Sequence, residues 1–260
     1  MKFTIEKKLS GSLARAGKIL TAHGVIETPT LIVAATKASV KALSSSDVLS
    51  VGGQAVLANT YHLYLQPGDE VIKRAGGLHR FMNWNRAIFT DSGGFQAFSL
   101  GEAFGTGISK FIGYENNAEY NPSQNPKRAR VDDDGVTFYS HIDGSEHRFT
   151  PERSIEIQLN LGADIIFAFD ECVSPHAPRE AHEKAVERTR KWAERCIKAH
   201  RSLLAPSDVA HASMASRQVA NGGPSLWGIV QGGRYEDLRR QSAREIGGME
   251  FEGFGIGGSF

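Results

Sequence analysis

The chain has 260 residues, 40% of them hydrophobic and 23% charged, and carries a formal net charge of +1. This is the composition of an ordinary folded protein, which excludes disordered and fibrous classes, and the near-neutral balance excludes a global electrostatic pull toward nucleic acid. Two cysteines, Cys172 and Cys196, exclude a disulfide framework and a Cys-rich zinc module, and fit a reducing compartment.

In chain order, the start Met1-Lys2-Phe3-Thr4-Ile5-Glu6-Lys7-Lys8 lacks the apolar stretch of a signal peptide. No apolar run approaches the roughly 20 residues needed to span a bilayer, so a soluble cytoplasmic protein is expected. Strand-like runs follow near Leu31 to Ala35, Gln54 to Asn59 and Ala87 to Asp91. From Gly101 to Asp134 the pattern breaks into a polar, irregular excursion containing Lys127-Arg128-Ala129-Arg130. This stretch reads as a lid, an RNA-facing loop or a plain surface insertion. A strand from Asp164 to Asp170 comes next, then a helix from near Pro178 to about His200, with Ala181, Ala185, Thr189, Trp192, Cys196 and Ala199 along one stripe. Its Arg188, Arg190, Lys191, Arg195 and Lys198 read as a solvated face. A strand from Leu226 to Gln231, a helix from about Tyr235 to Ile246 and a strand from Gly253 to Gly257 complete the series. This βα alternation predicts an α/β protein with a parallel sheet. Six core strands are counted where a closed (β/α)8 barrel has eight, and no linker or repeat divides residues 1–260.

The carboxyl ends of these runs carry the chemistry. Ala87 to Thr90 ends in Asp91-Ser92-Gly93-Gly94-Phe95-Gln96, where the two glycines let backbone N–H groups approach a ligand that a Cβ would keep away. Alone, the segment reads equally as a tight strand-to-helix turn capped by Asp91. Three further runs end in Asp170-Glu171-Cys172, Gln231-Gly232-Gly233 and Gly257-Gly258. Polar or glycine groups gathered at strand carboxyl ends are where parallel barrels and open α/β sheets build their sites.

With Asn59-Thr60-Tyr61-His62-Leu63, Gly76-Gly77-Leu78-His79-Arg80-Phe81-Met82, Asp91 to Gln96, Ser140-His141-Ile142-Asp143-Gly144-Ser145, Phe169 to Cys172, Val230 to Gly233 and Gly255 to Gly258 in one order, the chain resembles the tRNA-guanine transglycosylases, the queuine or preQ1 tRNA-ribosyltransferases, of bacterial type. The resemblance implies a TIM barrel, present here as about six of eight βα units. It also implies a pentosyltransferase acting in queuosine biosynthesis. That enzyme exchanges guanine at the wobble position of tRNA with a GUN anticodon for preQ1 or queuine, through a covalent enzyme–RNA intermediate.

The same resemblance makes Asp91 the general acid/base and puts Ser92, Phe95, Asp170, Cys172, Gln231, Gly257 and Gly258 around the base. The residue types suit those places. A carboxylate at Asp170 accepts from guanine N1–H and N2–H together, and adenine lacks both donors. Gln231 can donate to O6, as can the Gly258 backbone N–H. Phe95 offers a ring for stacking, worth about 1–3 kcal/mol. Ser92 bonds the base or caps its turn, and Cys172 lines the pocket as a small hydrophobe. An Asp91 carboxyl beside an aromatic ring and out of water should titrate above its usual range.

Two features of the family have no match in these residues: the nucleophilic aspartate of a D-S-x-x-P-T-R type segment, and a C-x-C-x-x-C zinc cluster with a distant His. His23, His62, His79, His141, His147 and His176 do not replace that cluster, and Cys172 with His176 is a coincidental pair. The expectation is therefore no metal and no cofactor in this chain, although complete family members hold Zn2+. Little exchange is expected by the isolated chain, and part of the family's homodimer surface is missing. The alternatives are a non-catalytic guanine- or tRNA-binding subunit completed by a partner chain, and a glycosidase using Asp91 and Asp170 as paired carboxylates.

Overall fold

The computed structural model describes residues 1–97, 129–205 and 223–258. The basic pair Lys127-Arg128 and most of the excursion lie outside the described residues.

The chain opens with an antiparallel sheet that the sequence reading passed over: β1 (Lys2–Lys8), β2 (Arg15–Thr21) and β3 (Gly24–Thr28). Its signal was the polar–apolar alternation of Lys2-Phe3-Thr4-Ile5-Glu6 and the turn residues before Gly24. The parallel sheet begins with β4 (Val33–Ala34), α1 (Ser45–Ser50) and β5 (Ala55–Ala58). Three short helices follow, α2 (Thr60–Leu65), α3 (Asp69–Arg74) and α4 (Leu78–Phe81), before β6 (Ala87–Thr90). The excursion is not irregular to its end, because Ala129–Val131 is β7, the first strand of an antiparallel meander with β8 (Val136–Tyr139) and β9 (Glu146–Phe149). Asp132 shapes the β7–β8 turn by accepting from the Asp134 and Gly135 backbone N–H groups.

Then come α5 (Pro151–Leu161), β10 (Ile165–Phe167), α6 (Arg179–Leu204), β11 (Ser225–Val230), α7 (Glu236–Gly247) and β12 (Gly253–Ile256). Helix α5 has clear punctuation. Thr150 accepts from Arg153 N–H at 3.2 Å, Pro151 stands in the first turn, and Gly162 ends the helix in the left-handed region. Helix α6 buries Ala185, Thr189, Trp192, Cys196 and Ala199 of the expected stripe. Arg188 departs from the expected solvated face: it pairs with Glu171 and, at 3.3 Å, with Asp133.

The six parallel strands lie in the order β4-β5-β6-β10-β11-β12, each beside its predecessor in the wall. A doubly wound sheet reverses direction at a switch point, and this one does not. It is part of a (β/α)8 barrel wall. The register alternates two faces. Ala55, Leu57, Ala87, Phe89, Ile165, Phe167 and Trp227 share one cluster with Ile19 and Ile26 of the amino-terminal sheet. Val56, Ala58, Ile88 and Ile166 point the other way, into the main core with Trp192, Phe138 and Phe149. The first face is the barrel interior, and the β2–β3 hairpin packs against it where β5, β6 and β10 begin. This leaves the carboxyl ends of the strands for a site.

Asp164 fastens that plug. Its carboxylate contacts His23 Nδ1 at 2.7 Å and His79 Nε2 at 3.1 Å, and it accepts from Ile88 N–H at 2.9 Å. Burial would raise this carboxyl, but the two imidazoles hold it down at about 2. The trio has the composition of a metal site but not its geometry. The two rings stack 3.5 Å apart at 18°. Each nitrogen lone pair lies in its own ring plane, so one ion about 2.0–2.1 Å from both nitrogens cannot lie near both planes.

Candidate active site

Register brings the predicted residues together. Ala58 pairs with Thr90, so Asn59 and Thr60 leave β5 beside Asp91 as it leaves β6. Ile166 also pairs with Thr90, Phe167 with Trp227, and Val230 with Ile256. Asp170, Gln231 and Gly257 therefore emerge at the same end of the sheet.

The half-buried Asp91 is held on several sides. Its Oδ1 accepts from Thr60 N–H at 2.9 Å and from Gly93 N–H at 3.2 Å, and its Oδ2 accepts from the Asn59 amide. Asn59 does double duty, since its Oδ1 also caps α2 by accepting from His62 N–H at 3.0 Å. Burial raises the Asp91 carboxyl from 3.8 to about 6 against these hydrogen bonds, with the neighbouring Asp170 adding to the rise. In the sequence Asn59 and Thr60 stand out only as part of the motif Asn59-Thr60-Tyr61-His62-Leu63. Their place one step past a strand end, beside the Asp91 strand, was the signal available.

Asp170 is gripped by two donors. Ser92 Oγ donates to Oδ1 at 3.0 Å and Gln231 Nε2 to Oδ2 at 2.6 Å. Ser92 both contacts Asp170 and accepts from Gly94 N–H at 3.3 Å, so it also shapes its turn. Burial raises the Asp170 carboxyl, opposed by Gln231 and Ser92. Glu171, next along, is likewise raised by burial against its Arg188 partner. Phe95 lies on the helical turn at 94–97 and is half-buried, as is Cys172 near the end of the Asp170 segment. The other cysteine, Cys196, is buried in the core, where its sulfur accepts from Phe169 N–H at 3.2 Å.

Helix α5 supports the floor from behind. Pairing between β6 and β10 stops at Thr90 and Ile166, and the buried Gln158 side chain fills the gap. It accepts from Thr90 Oγ1 and Phe167 N–H and donates to the Phe167 carbonyl, with distances of 2.9–3.0 Å. Ser154 Oγ donates to the Ser92 carbonyl at 2.7 Å. These amides and hydroxyls satisfy backbone groups that separating strands would otherwise orphan.

The glycines are sterically required. Gly93 has φ +77°, and a Cβ there would lie 2.9 Å from the Phe149 ring and 3.3 Å from the Tyr61 nitrogen. Gly93→Ala is expected to cost about 2 kcal/mol of stability in urea unfolding. A loss below about 0.5 kcal/mol would show that the turn is loosely held. A Cβ on Gly94 would come within 2.7 Å of the Asp170 carbonyl.

Comparison with known proteins bears on the same residues. A sequence model of the family described as TGT, queuine tRNA-ribosyltransferase, matches residues 10–260. A queuine tRNA-ribosyltransferase of Desulforamulus reducens is 45% identical over 258 residues, which is 99% of this chain and 58% of that protein. One from a Roseiflexus species is 46% identical over 259 residues, 100% of this chain and 62% of that protein. A putative one from Archaeoglobus fulgidus is 44% identical over 266 residues, 100% of this chain and 60% of that protein. The chain thus spans about three-fifths of the length of these curated relatives. Among the described residues no helix is long and apolar enough to cross a membrane. With a match that runs through every strand end described above, the chain belongs to the queuine tRNA-ribosyltransferase family.

Proposed function

We propose that this chain carries the base pocket of a tRNA-guanine exchange enzyme. Guanine at the wobble position of a GUN anticodon would leave, and preQ1 or queuine would enter. The observation that carries the reading is the Asp170 carboxylate, fixed by Ser92 and Gln231 between glycine turns. Each of its oxygens spends one lone pair on those donors and keeps another, which suits simultaneous acceptance from N1–H and N2–H of guanine. The second N–H of the Gln231 amide serves O6, the Gly257 and Gly258 turn edges the base, and Cys172 lines the same pocket. Phe95 stacks on the flipped base. Asp91, poised at about 6, holds and releases the proton of the departing and entering bases.

A D-S-x-x-P-T-R type nucleophile segment does not occur in residues 1–260. The alternative reading is a non-catalytic guanine- or tRNA-binding subunit that needs a partner chain. Titration calorimetry of polypeptide 1–260 with guanine, 7-deazaguanine and adenine tests the pocket they share. Binding of the first two and not the third is expected; equal affinity for adenine, or none for guanine, would sink both readings. Incubation of polypeptide 1–260 with tRNA is expected to give no denaturant-stable RNA adduct, and an adduct would show that these residues hold a nucleophile of their own.

A further inference from the structure

Helix α7 stands behind the two glycine turns that border Gln231, and it holds them by side chains to which no role has been given. Ser242, buried, accepts the Gln231 backbone N–H at 3.0 Å. Arg239, one turn earlier and half-buried, sends a single nitrogen, Nη1, to two carbonyls: Gly257 at 2.9 Å and Gly233 at 3.4 Å. These carbonyls belong to different strand ends, β11 and β12. The Gly257-Gly258 turn presses on the Gln231 side chain, because a Cβ on Gly257 would lie 2.9 Å from Gln231 Nε2 and one on Gly258 would lie 2.4 Å from Gln231 Oε1. Gln231 in turn donates to Asp170.

We propose that Arg239 is a positioning residue for base recognition: by bridging the Gly233 and Gly257 carbonyls it fixes the spacing of the two turns, and so the place of the Gln231 amide against Asp170. The inference rests on the guanine-pocket reading. Its physical basis is directional. A cation shared by two carbonyls sets the distance between them, whereas an apolar side chain of similar length fills the space without fixing it. Arg239 touches neither the base nor the reacting atoms in this arrangement; it acts through the glycine backbone and the Gln231 amide.

Because one nitrogen makes both bonds, the test has a built-in rescue. In Arg239→Lys the ammonium, on a stem one atom shorter, can donate to both carbonyls; in Arg239→Met the stem remains and the donor is gone. Guanine affinity of polypeptide 1–260 is measured by titration calorimetry for the unaltered chain and both variants. Expected is a loss of at least about tenfold in the Met variant and less than about threefold in the Lys variant. Amide exchange at Gly257, whose N–H donates to the Val230 carbonyl at 2.9 Å, should rise in the Met variant and stay near its original rate in the Lys variant.

Equal affinities in all three proteins overturn the inference, and so do equal losses in the two variants. If the Met variant does not fold, the Lys variant decides: a folded Lys protein with tenfold faster exchange at Gly257 overturns the bridge, and one within threefold supports it. Failure of the unaltered chain to bind guanine is a separate result, since it removes the proposed pocket and this inference together.

Discussion

Replacing Asp170 by asparagine is expected to abolish guanine binding, with the dissociation constant rising at least about a hundredfold while the fold survives. In the proposed pocket the carboxylate would offer an acceptor on each oxygen to the N1–H and N2–H edge. Asparagine keeps one acceptor and turns an NH2 toward the other donor, so one favourable bond becomes a donor–donor clash. Losing a charge-assisted bond and leaving a buried donor unpaired accounts for about 3 kcal/mol or more. The surroundings can absorb the change. Ser92 Oγ, which donates to Oδ1, is able to accept from the new amide, while Gln231 Nε2 continues to donate to the retained oxygen. A buried carboxylate is itself a cost, as the upward displacement of Asp170 by burial indicates, so the thermal midpoint of Asp170→Asn should hold or rise. Calorimetric titration with guanine and a thermal melt of the same sample provide the check. Retained affinity within about threefold would remove Asp170 from recognition, and an unfolded variant would show that it is needed for the fold.

This carboxylate also bears on the glycosidase reading. Asp170 is engaged on its two oxygens by a hydroxyl and an amide, Ser92 Oγ on Oδ1 and Gln231 Nε2 on Oδ2. Donors that fix the carboxylate in this way suit acceptance of a guanine edge by both oxygens at once, whereas a retaining glycosidase needs one oxygen aimed at a sugar carbon. The match to the queuine tRNA-ribosyltransferase model across residues 10–260 points the same way.

Most of the wall was legible in the sequence because buried parallel strands leave continuous apolar runs, and each run here ends in a polar or glycine group. The runs ending at Asp91, Asp170, Gln231 and Gly257 therefore announced both the strands and the end at which the candidate residues gather. What stayed hidden was set by partners distant in sequence. Arg188 reads as one more charge on an amphipathic helix, and only the fold shows Glu171 and Asp133 against it. Gln158 carries no local signal, since its value lies in the gap between β6 and β10. Strand β7 was read as part of the irregular excursion because three residues of edge strand are too short for an alternation to register. The same limit applied to Asn59, whose capping role is local and whose hold on Asp91 comes only from strand register.

Asp91 should make stability fall as pH rises from about 4 to about 7, measured as the difference between the unaltered chain and Asp91→Asn. Its carboxyl moves from 3.8 to about 6 on folding, so the folded state holds the proton more tightly than the unfolded chain does. That preference stabilises the fold fully below 3.8 and disappears as pH climbs through 6. At about 1.36 kcal/mol per unit the shift corresponds to about 3 kcal/mol, reduced to about 2 kcal/mol because the side chain is partly solvated. Asparagine in this place sets two amide NH2 groups against each other at Asn59, which imposes a fixed penalty at every pH. Taking the difference at two pH values cancels that penalty. Urea unfolding at pH 4 and pH 7 should therefore show the stability of the unaltered chain, relative to the variant, declining by about 2 kcal/mol. A flat or rising difference would mean that Asp91 is ionised throughout this range at no cost. The desolvation that the proposed proton-carrying role requires would then be missing, leaving Asp91 the lesser role of orienting Thr60, Gly93 and Asn59 around the turn.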